Sequence, residues 1–277
     1  MTLGSAMVPG LGEIGRLLLY LGLAATLGSL LMTGWLSPRP GPEGRRRLAW
    51  MLGLGTAAVA AATVLVPLRL ALELGVPVSS LLPAYVTGTV QGRILGLRLA
   101  SLAVLVGIRA GADRLGLARA LQAGVALAVV VTVGLTGHAA ARPDLLLAHT
   151  LHLAGVAVWG GGLLALGWAL EWGPHGKAAG TAGGSGPSLR AAEVVAAVGR
   201  FSRLAGAVFG VLLLAGAYLG VTLAGSRARL ADDSYGRWLL AKGVVVALVA
   251  AAAALNRWQW LRRSSAAGPG GGAGPST

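Results

Sequence analysis

Apolar positions in this chain come in long runs separated by short polar links, not in the two-residue alternation of a half-buried strand. At about 1.5 Å per helical residue, some twenty such residues cross a hydrocarbon core of about 30 Å. Seven stretches meet that length and predict spans at Leu17–Leu36, Leu48–Leu68, about Arg93–Arg109, Ala120–His138, Asp144–Leu170, roughly Phe201–Gly225 and Trp238–Asn256. Lipid offers no partner for a backbone amide, so spanning segments bond internally as helices. The expected fold is therefore all-α, a polytopic membrane bundle of about seven helices. Between Leu74 and Gly92 the chain is uncharged but interrupted by Gly75, Pro77, Pro83 and Gly88. These breakers predict an outer loop or half-inserted segment there, not a straight span.

The polar links set the orientation. The start MTLGSAMVPGLGE has no Lys or Arg, so it lacks the basic opening of a cleavable signal peptide and is expected to be a short outside tail. The next link holds Arg39, Arg45, Arg46 and Arg47 between Trp35 and Trp50, a basic loop flanked by interface aromatics. That places it in the cytoplasm, and Arg109, Arg114 and Arg119 mark a second inner link. Residues 173–192, poor in large apolar side chains, predict a flexible inner linker in which His175 is solvated. SRARLADDSYGR is the last outer loop, with Asp232 and Asp233 offsetting its arginines. After Arg257, Arg262 and Arg263 the tail SSAAGPGGGAGPST is disordered by composition. The expected organisation is a membrane domain over 1–262 and a tail over 263–277, amino terminus outside and carboxyl terminus cytoplasmic.

Composition agrees with the pattern. Hydrophobic residues make up 55% of the 277 and charged ones only 12%, with mean hydropathy +0.74, against about 25% charged in soluble domains. A net charge of +14 would suggest nucleic acid in a soluble protein. Here the cations sit between apolar runs, where the positive-inside rule and anionic membrane lipid account for them, and no nucleic-acid surface is implied. The absence of cysteine excludes disulfides, thiolate metal sites and thiol catalysis.

Candidate chemistry lies in the fifth predicted span. His149 and His152, three apart, share a helix face, and Trp159 continues that stripe one layer deeper. His138 ends the preceding span, so if the two spans are antiparallel across the link AAARPD, three imidazoles approach one membrane face. A lone membrane histidine often only donates an interhelical hydrogen bond. Three together predict ligation, for which copper, zinc and haem iron are all suited to imidazole. Trp159 is either packing or a wall beneath the metal, and Gly160, Gly161 and Gly162 permit close helix approach.

Two cations lie inside spans. QGRILGLR (91–98) and YGRWLLAK (235–242) each place a cation six residues after a glycine, which puts Arg98 and Lys242 about 9 Å into their helices. Either they snorkel, or they form an anion site able to meet carboxylates or haem propionates. No acidic residue sits at mid-membrane, so a carboxylate proton relay is unsupported. Met7, Met32 and Met51 form no closely spaced pair, so no thioether ladder for Cu(I) is expected. No phosphate-binding loop or Ser-base-acid arrangement is visible.

The order TGHAA, HTLHLAGVAVWGGGLLAL, RFSRLAGAVFG, SYGRWLLAK and LNRW resembles the copper-resistance D (CopD-like) family of inner-membrane proteins, from about Gly137 to Arg257. Carried over by position, the family pattern falls on His138, His152, Trp159, Gly161, Gly162, Arg200, Phe201, Ser202, Tyr235, Gly236, Lys242 and Asn256; His149 is added from spacing alone. The resemblance implies copper handling at the inner membrane, often beside a small periplasmic copper carrier, which some relatives carry fused. No soluble β domain precedes the first span here, so a separate carrier is the expectation. The resulting expectation is a non-enzymatic multi-pass protein that takes periplasmic copper through His138, His149 and His152, with Trp159, Arg98, Lys242, Tyr235 and Asn256 in support. It then imports the copper or passes it to a partner. Two alternatives stay open: a b-type haem redox protein ligated by His138 and His149 or His152, and a scaffold for assembling a copper enzyme.

Overall fold

The computed structural model describes residues 3–36, 42–111, 116–170, 186–224 and 234–266. All eight long elements among them are helices: α1 (Leu3–Leu31), α2 (Pro42–Leu74), α3 (Val78–Gly88), α4 (Val90–Gly111), α5 (Gly116–Leu135), α6 (Pro143–Leu170), α7 (Gly186–Ala224) and α8 (Ser234–Ala266). A π-turn, Met32–Leu36, extends α1, and a 3-10 turn, His138–Ala141, joins α5 to α6. Seven of these helices are long and apolar enough to cross a membrane, and α3 is not. The protein is thus an all-α, multi-pass membrane protein.

Helix ends differ from the sequence expectation where propensity is weak but no partner competes for the backbone. The amino-terminal tail is helical from Leu3 through Pro9 and Gly10. The expected linker is helical from Gly186, with Pro187 in the first turn, where proline's missing amide has no partner to lose. The last helix likewise runs on to Ala266, past the start of the expected tail. Residues 171–185, which hold His175, and 267–277 lie outside the described residues. Gly75, at φ 66, turns the chain out of α2, and Pro77 caps α3, so the interrupted segment is a short helix between spans.

The chain divides into two units, Met1–Gly216 and Ala217–Thr277. In the first, α1 pairs antiparallel with α2: Gly22 meets Gly55 and Val59, Thr26 meets Gly55, and Ser29 Oγ donates to the Leu48 carbonyl at 2.7 Å. It also pairs parallel with α6, where Gly28 faces Gly161 so closely that a Cβ on either would be driven into the opposite backbone. Without a hydrophobic drive between helices in lipid, this small-residue contact is what holds them. Along α6 and α7, Gly162 meets Phe201, Gly155 meets Val208 and Leu212, and Gly216 meets His152, an antiparallel register. Threonine hydroxyls are mostly satisfied within their own helices, as Thr33 to Ser29, Thr56 to Leu52 and Thr63 to Val59. One apolar cluster joins Leu23, Val59, Leu102, Val129, Val130 and Leu153 near mid-bundle. A second, towards the far end from the 3-10 turn, joins Met32, Leu36, Met51, Ala165 and Phe201. In the second unit, Gly220 packs on Leu239, while Leu240, Val244, Val245 and Leu248 of α8 are exposed, as lipid-facing side chains are.

Candidate metal site

The turn that carries the histidines is built by local chemistry. After Leu135 the α5 backbone tightens, with the Thr136 amide donating to Val133 and the Gly137 amide to Gly134. His138 then opens the 3-10 turn, three residues beyond the end of α5 and outside its helix. Pro143 starts α6, and Arg142 pairs with Asp144 in the first turn at 2.6 Å. His149 and His152 follow in the next turns of α6. All three histidines therefore belong to one end of the bundle, as the sequence predicts.

Their neighbours differ, however. The His149 ring edge lies against Gly134 of α5, beside Thr150. His152 turns to the other flank of α6, where Nδ1 lies 3.3 Å from the Leu212 carbonyl of α7 and the ring covers Gly216. Residues three apart on a helix are offset by about 60° around its axis, enough to separate two flanks of a crowded helix. The side chain of His138, like those of Tyr235 and Asn256, lies outside the described residues. Among the described residues, no three His, Asp or Glu side chains form a metal-binding group. What the fold brings together is one half-buried imidazole facing α5 and one facing α7.

A carbonyl has no proton, so the His152 contact is a hydrogen bond only when Nδ1 carries the hydrogen. That tautomer puts the ring's lone pair on Nε2, and a ring nitrogen held by a backbone carbonyl is the usual support for a metal-binding imidazole.

Arg98 is the one buried charge among the described residues, only 2% exposed. It neither snorkels nor meets a carboxylate among the described residues. Nε donates to Thr132 Oγ1 at 3.0 Å, and Nη2 donates to the Thr132 carbonyl at 2.7 Å and to Thr136 Oγ1 at 3.2 Å. Lys242 is exposed on α8, consistent with snorkelling. Trp159 packs against the second apolar cluster, beside which Gly161 and Gly162 admit α1 and α7.

Three features escape sequence spacing. Arg200 reaches across from α7 and donates through Nε to the Leu36 carbonyl at 2.9 Å, and through Nη2 to the same oxygen, closing the π-turn. Met32 and Met51, far apart in sequence, share one buried cluster. Thr26 Oγ1 is buried with no hydrogen-bond partner among the described residues, a condition that costs about 1–3 kcal/mol. The Arg200 motif was visible, whereas the other two depend on the α1/α2 register.

Two family models match the chain: Copper resistance protein D-like, N-terminal domain, over residues 13–148, and Copper resistance protein D, over residues 195–277. Arg98 and His138 fall within the first and Arg200, Tyr235, Lys242 and Asn256 within the second; His149, His152 and Trp159 lie between them. No curated protein and no solved structure matches the chain.

Proposed function

From the chain's place in the copper-resistance D-like family, to which it belongs as a multi-pass membrane protein, we propose that it receives copper at its histidine-bearing end and carries it inward or to a partner. His152 is the principal ligand, and His149 and His138 are further imidazoles at the same end of the bundle. The observation that carries this reading is the 3.3 Å approach of His152 Nδ1 to the Leu212 carbonyl, which holds the ring when Nδ1 carries the hydrogen and then puts its lone pair on Nε2. Copper here is cargo, and no bond-making step is assigned to the chain.

In this reading the amino terminus is outside and the carboxyl terminus cytoplasmic, in the inner membrane, which turns the histidine end to the periplasm. A separate periplasmic copper carrier would deliver the ion there. The arginines between spans favour that orientation by the positive-inside rule. The haem alternative relied on Arg98 and Lys242 meeting propionates. Arg98 directs Nε and Nη2 to α5 instead, so copper is the better supported cargo.

The test is metal analysis of the purified chain. Wild type should retain copper after desalting, and a His138→Ala/His149→Ala/His152→Ala variant should lose most of it. Equal copper in the two would overturn the proposal.

A further inference from the structure

We propose that Met51 and Met32 form a second, softer copper site on the α1/α2/α6 interface, which holds Cu(I) through thioether sulfur. The identity of the metal rests on the copper reading above; the site itself rests on its own geometry.

The two residues stand on different helices, and only the fold pairs them. Both are buried in one cluster, against which Trp159 packs. The helix register fixes their order. Met51 lies on α2 between Leu48, whose carbonyl accepts from Ser29, and Gly55, which meets Gly22 and Thr26. It is therefore level with Thr26–Ser29 on α1 and, through the Gly28 contact, with Gly161 on α6. Met32 lies about one turn further along α1, in the cluster that holds Ala165. Trp159 is seven residues beyond His152, about 10.5 Å along the helix. Imidazole, indole and the two thioethers thus follow one another from the histidine end into the membrane.

Their chemistry changes in the same order. Imidazole accepts copper in either common oxidation state, whereas a thioether is a soft donor that selects Cu(I). The chain has no cysteine and only four methionines, so these are the soft ligands its interior possesses. Thr26 Oγ1 supplies an independent sign at the same level: it is enclosed, makes no hydrogen bond among the described residues, and faces the Gly55 turn that follows Met51. A buried oxygen without a partner calls for an explanation, and this one lies about one helical turn from Met51 along the α1/α2 seam. The π-turn that begins at Met32 adds the local widening often found where a helix serves a ligand.

X-ray absorption at the copper edge tests the site, with the purified full chain loaded with Cu(I) under reducing conditions. A copper–sulfur shell is expected, and without cysteine it can come only from methionine. It should vanish in Met32→Leu/Met51→Leu, a nearly volume-conserving change, and persist in Met7→Leu. If the double variant does not fold, Met51→Leu alone should weaken the shell. His138→Ala/His149→Ala/His152→Ala should lose nitrogen scattering and keep sulfur. Wild type without a sulfur shell, or a shell that survives both leucines, overturns the thioether site. Nitrogen scattering that survives loss of the histidines overturns the imidazole reading and leaves the thioether site standing.

Discussion

The Arg98 guanidinium clasps Thr132 twice, through Nε to the hydroxyl at 3.0 Å and through Nη2 to the carbonyl at 2.7 Å. Thr132 supplies one of the last four carbonyls of α5, which have no partner within the helix. A cation at a helix carboxyl end also opposes the macrodipole. Its hydroxyl donates back to Val129 at 2.6 Å and so can accept from Arg98. Arg98 is thereby a positioning residue for the turn that carries His138, six residues further on.

Loss of that clasp should be felt as instability. Arg98→Ala is expected to cost about 2 kcal/mol, since bonds to a charged donor exceed neutral ones while bonds between membrane helices are often weaker. Thermal unfolding in detergent should show a lower Tm. Arg98→Lys should recover only part, because an ammonium cannot reproduce the fork. An unchanged Tm for the alanine variant would remove the positioning role.

The spans and the histidine end were legible in the sequence because lipid fixes helix length and because polar residues stand out in an apolar run. The seven runs correspond to the seven span-length helices. Which flank each imidazole faces was not legible. His149 and His152 share a helical stripe, yet Gly134 admits one from α5 and Gly216 the other from α7. Arg98 could be placed at depth but not assigned a partner, since Thr132 and Thr136 lie on the neighbouring helix. The methionine pair was invisible for the same reason: spacing along a chain says nothing of contacts across an antiparallel seam.

Adjacent glycines on α6 should respond oppositely. Gly161→Ala drives a methyl into the Ala24 carbonyl, and overpacking against backbone should cost about 3 kcal/mol or more, seen as poor yield and a lower Tm. Gly160 has nothing within 4 Å of an added Cβ, so Gly160→Ala should be neutral or gain up to about 1 kcal/mol from helix propensity. Equal losses would mean that the α1/α6 contact is not the tight one.

Copper affinity should fall with acidity. A neutral imidazole ligates and a protonated one cannot, so acid should release copper from histidine ligands. The affinity should therefore fall as pH drops, and His152→Ala should flatten the profile. Competition titrations with a Cu(I) chelator across a pH series provide the measurement. A flat profile would point to thioether ligands alone.

The absorption spectrum separates copper from haem. A Cu(I)-loaded chain should show no Soret band, in wild type or in Arg98→Ala, because Arg98 is committed to α5. A Soret band lost in His138→Ala would establish the haem alternative.

Gly216 offers a test of His152 that leaves the imidazole in place. A Cβ there would stand 3.1 Å from His152 Cε1 and 3.2 Å from Nδ1, tighter than ordinary contact but against a side chain that can swing. Gly216→Ala should therefore push the ring off the Leu212 carbonyl without breaking α7, whereas Gly210→Ala, with nothing within 4 Å, should not. Removing the group that orients a metal-binding histidine typically costs 10- to 100-fold in affinity, so about a 10-fold weaker copper affinity is expected for Gly216→Ala, at nearly unchanged Tm. If copper affinity is the same in both variants, the Leu212 contact does not set the ligand geometry, and His152 is held there for packing alone.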